Sequence, residues 1–140
     1  MALVEVYDSS PVTASSLANI STRGFVDTGE NVLIGGFIVT TGGSAKVVVR
    51  AIGPSLDEQG VSAPLADPAL YLVDENGSTI AANDDWKTDQ QAELEAIGIQ
   101  PGRDTESALV ANVTGGNFTA VVRGQGTATG IALVEVYDLQ

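Results

Sequence analysis

The chain has 140 residues, a formal net charge of −12, and neither cysteine nor histidine. That balance argues against nucleic acid or an anionic membrane surface as a partner. The two missing residue types exclude a disulfide framework, thiolate chemistry, the commonest zinc ligand and the Ser-His-Asp triad.

Residues 2–7 alternate, with Ala2, Val4 and Val6 on one face and Leu3, Glu5 and Tyr7 on the other, as in a strand. The stretch after it, residues 9–16, is small and polar and reads as a linker. A short strand is expected over Leu17–Thr22, then a turn at Asp27-Thr28-Gly29-Glu30. Two β-rich runs follow, 31–40 and 45–52, separated by Thr41-Gly42-Gly43-Ser44; the glycines predict a hairpin between them. Residues 53–67 read as a long loop with one helical turn. Strands are expected at 68–74 and 78–82 around the turn Asp74-Glu75-Asn76-Gly77. Residues 88–97 form the one helix candidate. Strands at 106–113 and 117–123 flank Thr114-Gly115-Gly116, and 131–138 closes the domain.

With aromatics at 5 %, the core must be built from Val, Ile, Leu and Ala. Short strands with frequent turns point to an all-β fold over residues 17–140: an antiparallel two-sheet sandwich, jelly-roll or immunoglobulin-like, with one short helix. A barrel is the alternative. No apolar run reaches the roughly 18–20 residues of a membrane span, and no signal peptide is visible.

The seven residues Ala2-Leu3-Val4-Glu5-Val6-Tyr7-Asp8 recur letter for letter as Ala132-Leu133-Val134-Glu135-Val136-Tyr137-Asp138. Such an identity marks one repeat preceded by the last strand of another. Residues 1–8 are then a strand shared with, or donated to, a neighbouring copy. The candidate assembly residues are Leu3, Val4, Val6 and Tyr7, with Leu133, Val134, Val136 and Tyr137. The partner is another copy of the chain, in a tandem array or a head-to-tail fibre. The plainer reading pairs residues 1–8 with the edge of their own sheet.

From Leu17 onward the chain resembles a tandem-repeat β-sandwich of large secreted or surface proteins of environmental bacteria. The resemblance rests on Leu17–Gly24, Val32–Val39, Arg50-Ala51-Ile52-Gly53-Pro54-Ser55-Leu56, Asn83-Asp84-Asp85-Trp86 and Ala132–Asp138. It implies an extracellular or cell-surface setting and no enzymatic activity. The second half is also loosely similar to the bacterial pre-peptidase C-terminal domain. That similarity lies in Leu70–Asp74, Asn83–Asp85 and the Gly-rich stretch Thr114–Val122. It implies a jelly-roll-like sandwich in an accessory role.

Candidate ligand chemistry is sparse. Asp74, Asp84, Asp85 and Asp104 fall in loops or at strand ends and form a candidate Ca²⁺ set, which would serve a calcium-dependent module binding glycans or surfaces around Asp84-Asp85-Trp86. Turn hydrogen bonding explains the same residues without a metal. Asn19, Asn76, Asn112 and Asn117 each stand in an N-x-Ser/Thr pattern and are candidate glycan acceptors. Arg23, Arg50 and Arg123 are expected to pair with carboxylates such as Asp27, Glu106 or Glu135. Trp86, the only tryptophan, is either a sugar platform or a loop anchor. Asp84, Asp85, Asp104 and Glu106 have the residue types of a glycosidase pair. The short chain and poor aromatic content argue against a cleaving cleft, so no enzyme is expected.

Overall fold

The computed structural model describes residues 5, 6 and 18–139. The linker, the rest of the N-terminal strand and Gln140 lie outside the described residues. Glu5 and Val6 are exposed and belong to no strand.

The described strands are β1 (Asn19–Val26), β2 (Leu33–Ile52), β3 (Pro68–Val73), β4 (Thr79–Asn83), β5 (Ser107–Gly124) and β6 (Gly130–Asp138). A 3-10 turn occupies Pro54–Gln59, and one helix, α1, spans Gln91–Ile97. The strands are hydrogen-bonded in the order β1-β6-β2-β5-β3-β4, with every neighbouring pair antiparallel.

Neither glycine-rich stretch is a hairpin turn. β2 runs through Thr41-Gly42-Gly43 and β5 runs through Thr114-Gly115-Gly116, and the two pair with each other along their whole length. Val39 lies opposite Gly116 and Ser44 opposite Thr114, so the four residues 40–43 face Gly115 alone. An insertion of this kind bends the strand that carries it. Beyond it the paired strands fold back over themselves. A Cβ on Gly35, in the first half of β2, would lie 3.1 Å from Val134 of β6, yet β6 is hydrogen-bonded to the second half of β2.

The expected sandwich therefore arises by a different route. Its first layer is β1, β6, the second half of β2 and the first half of β5. Its second layer is the first half of β2, the second half of β5, β3 and β4. The interior holds Val47, Val49, Ala51, Leu109 and Val134 from the first layer, and Leu70, Leu72, Phe118, Ala120 and Val122 from the second. Phe37 and Phe118, register partners in the second layer near the bend, stack with centroids 5.3 Å apart. These side chains occupy alternate positions, as the period of a strand requires.

The outer face of the first layer is covered as well. Val48, Ala108 and Val110 pack under Trp86 and Leu94 of α1. The helix ends at Gly98, whose φ of 82° is left-handed and whose N–H returns to the Leu94 carbonyl at 3.0 Å. Side-chain amides close the open edge of β5 in this layer. Gln90 both donates to and accepts from the Val110 backbone, at 3.0 and 2.8 Å, and Asn83 accepts from Ala108 N–H at 3.0 Å. Among the described residues nothing comparable covers the outer face of the second layer, where Ile34 is 54 % and Ile38 71 % exposed.

The bend tolerates no side chain at its centre. A Cβ on Gly115 would stand 2.7 Å from the Thr40 carbonyl oxygen and 2.9 Å from the Thr41 Cα, both backbone atoms. Around Gly36 the nearest atom is at 3.8 Å. Gly115→Ala should lower stability by about 2 kcal/mol or more in chemical denaturation, while Gly36→Ala should stay within about 0.5 kcal/mol of the parent.

Candidate functional site

The duplicated sequence occupies, as β6, a slot between two strands. On one side Asn19–Val26 pair with Tyr137–Gly130; on the other Val47–Ile52 pair with Asp138–Leu133. Ala132, Val134 and Val136 point into the core and are buried. Leu133, Glu135 and Tyr137 take the opposite face, as the alternation in the sequence requires.

That outer face carries the polar chemistry of the slot. Arg50 lies opposite Glu135 in register, and its Nε donates to Glu135 Oε2 at 2.9 Å. A second guanidinium nitrogen donates to the same oxygen and to the Tyr137 hydroxyl at 3.0 Å; the hydroxyl in turn donates to Glu135 Oε1 at 2.9 Å. The third nitrogen donates to the Ile99 carbonyl at 2.7 Å, which ties the segment after α1 to the sheet. The Arg50 carbon also sits 5.1 Å from the Tyr137 ring centre. Burial, reinforced by the hydrogen bond to Glu135, raises the Tyr137 pKa, so it remains a donor at neutral pH. Both Arg50 and Glu135 side chains are largely shielded from water, which strengthens the pair relative to a surface ion pair.

Glu106 is a second buried hub. It is fully buried and its carboxylate accepts from Gly53 N–H, Ser55 N–H, Ser55 Oγ and Arg103 N–H at 3.1, 2.8, 2.7 and 3.0 Å. One side chain thus fixes the loop leaving β2 and the loop entering β5. Its oxygens are occupied by structural donors, which is an anchor's arrangement.

The other singled-out residues are dispersed. Asp74 closes the β3–β4 turn, accepting from Asn76 N–H at 2.9 Å and Ser78 N–H at 2.8 Å. These contacts, Ser78 foremost, lower its pKa. Asp104 pairs with Lys87 at 2.6 Å. Asp84 is held by the Gln125 amide. Among the described residues no group of three or more acidic side chains is placed to hold a metal ion, so Asp74, Asp84, Asp85 and Asp104 do not converge as one set. A carboxylate the sequence reading passed over, Asp67, is the one near Asp84 and Asp85. Burial first, then the charges of Asp84 and Asp85, raise its pKa. One oxygen of Asp67 and one of Asp84 are buried without a hydrogen-bond partner.

Trp86 is buried, with its indole N–H on the Arg103 carbonyl at 3.1 Å, so it anchors a loop instead of offering a sugar platform. Arg50 has its expected Glu135 partner. Arg123 instead donates to the Gly29 carbonyl at 2.6 Å. Asn19, Asn76, Asn112 and Asn117 are all exposed. Three of them, Asn76, Asn112 and Asn117, line one open groove of about 440 Å³ beside the bend.

A carboxyl whose folded pKa is raised adds stability that is complete below its ordinary value, 3.8 here, and is lost as pH rises through the folded value. Ionised Asp67 therefore opposes folding at neutral pH. Asp67→Asn should raise the unfolding temperature at pH 7, and thermal melts near pH 3 should show no gain.

No family model matches the chain, and no curated protein matches it. Among solved structures it is similar to the pre-peptidase C-terminal domain of a collagenase from Bacillus anthracis, with a TM-score of 0.52 and 12 % sequence identity over 84 % of this chain and 88 % of that one. The likeness in fold extends well beyond the second half in which the sequence resemblance was read. Among the described residues no helix is long and apolar enough to cross a membrane. At this identity the comparison speaks to architecture alone: the chain is an antiparallel β-sandwich whose fold is similar to that of the pre-peptidase C-terminal domain.

Proposed function

We propose that the chain is a structural repeat or subunit of an extracellular or cell-surface assembly, joined head to tail by addition of the strand at residues 2–8 to a neighbouring copy. One observation carries the reading. The duplicated segment is identical to a strand that the sandwich holds in its interior, between two other strands, with a dedicated partner for its Glu and Tyr. A sequence kept in two copies, one at each end, supplies one more strand than the slot can hold. Strand addition needs a segment with an alternating apolar face, and Ala2, Val4 and Val6 supply one in the sequence. The acidic surface suits a soluble assembly outside the cell. Electron micrographs of the purified chain should show filaments or ordered oligomers, and deletion of residues 1–10 should abolish them. Filaments that persist unchanged after that deletion would sink the proposal.

A second reading is favoured by the two buried, unpartnered oxygens of Asp67 and Asp84. A Ca²⁺ ion taken up by these two carboxylates would offset their repulsion and make the chain a calcium-dependent binding module for glycans or surfaces. Millimolar Ca²⁺ should then raise the unfolding temperature of the parent and leave Asp84→Asn unchanged; an unresponsive parent removes this reading.

A further inference from the structure

We propose that the outer face of the second layer is the contact surface of a symmetric pair, its occupant being a second copy of the chain. This pairing uses the strands of the second layer alone and stands apart from the joining of copies by strand addition.

The face is built in register across four strands. Ile34 lies opposite Val121, Val121 opposite Tyr71, and Tyr71 opposite Ala82. Opposed residues share a face and alternate residues return to it, so Ile38, Thr119 and Val73 belong to the same surface. Their neighbours Phe118, Ala120, Leu70 and Leu72 point the other way, into the core. Ile34 and Ile38 are each more than half exposed. A single exposed isoleucine is ordinary, but apolar residues adjoining across a sheet form a patch, and patches mark contact sites.

Charge decides the occupant. The chain has 18 acidic residues against 6 basic ones. Among the described residues no acidic one falls on the strand positions of this face, and its one charged side chain, Arg123, is turned to the Gly29 carbonyl. The opposite side of the sandwich carries Glu93 and Glu95 on α1. Two copies, each with a net charge of −12, repel wherever their carboxylates meet. Here they can touch with none opposed. A strongly charged partner finds no countercharge on this face, and an anionic membrane repels the chain as a whole.

The relief of the face is self-complementary. A dimple of about 230 Å³ lies between Tyr71, Val73, Thr79, Val121 and Arg123, beside the strand that carries Ile34. β2 thus bears the knob, and β5 and β3 bear the hole. A two-fold axis along β5, lying in the plane of contact, sets Ile34 of each copy over the dimple of the other. The two sheets then pack with their strands roughly aligned, about 10 Å apart. Four strands about 4.8 Å apart, over roughly six residues of about 3.3 Å each, give a plane of about 19 by 20 Å. Two such faces bury on the order of 1,000 Å², which is the size of a weak and reversible interface.

The chain has no cysteine, so Thr119→Cys places a single thiol beside the axis. A short bismaleimide should join two copies through it, with a yield that rises as the protein is concentrated from about 10 to about 500 µM. Adding Ile34→Lys should cut the yield roughly tenfold or more, and Ile34→Glu as much, because either charge would be buried without a partner. Val121→Lys should do the same from the side of the dimple. Ala92→Glu, which adds a carboxylate on α1 across the sandwich, should leave the yield unchanged. Absence of a joined pair at the highest concentration overturns the proposal, and so does an undiminished yield in the Ile34 and Val121 variants. A loss shared by Ile34→Glu and Ala92→Glu but not by Ile34→Lys would trace association to net charge and overturn it as well.

Discussion

Two long strands turning one corner together hold this sandwich in a single piece. β2 and β5 remain hydrogen-bonded through the bend, where residues 40–43 face Gly115. Both layers are thus continuous with one another on that side, and the stacked Phe37 and Phe118 rings join the core on one arm of the corner. The other strands are additions to that frame. β6 and β1 extend the first layer beyond β2, and β3 and β4 extend the second beyond β5. The core forms because the bend brings the alternating apolar faces of the same two strands into contact.

The polar groups placed in this apolar frame act as fasteners between segments distant in sequence. Glu106 joins the loops at Gly53–Ser55 and Arg103. Arg50 joins β2, β6 and the segment after α1. Neither fastener is an isolated buried charge: the donors around Glu106 and the acceptors around Arg50 satisfy them, and removing one partner would strand the rest without water. Leu94 and Trp86 then cover the outer face of the first layer. Among the described residues the second layer has no such cover, and its edge strands carry the exposed Ile34, Ile38 and Ile80.

Much of this was legible in the residues. The faces read in Ala2–Tyr7 are those that the identical letters take in β6, and Asp74-Glu75-Asn76-Gly77 and Asp27-Thr28-Gly29-Glu30 are turns where the composition put them. The two glycine-rich stretches misled, because Gly-Gly between apolar runs signals a hairpin and a bulged bend equally well. What separates them is the partner: each stretch lies against the other, a relation no local pattern contains. The same blindness to distance hid Asp67, which meets Asp84 and Asp85 only in the fold. It also left open whether Arg50 would choose Glu106 or Glu135. The duplicated Glu-x-Tyr held the answer, since a repeated strand keeps the groups its neighbour must hold.

The nearness of Ala18 to Asp138 has a mechanical consequence. Ala18, just before β1, and Asp138, the last residue of β6, meet at the same end of an antiparallel pair, joined there by one hydrogen bond. In a string of such domains under tension, the pull would reach each one through those two adjacent points. β1 and β6 would then part like a zipper, one rung at a time, without sliding past each other along their length. Each domain would hang beside the line of force as a side loop, giving way at low load and closing again when the load is released. The string would be compliant, with the bent pair β2 and β5 sheltered from the strain.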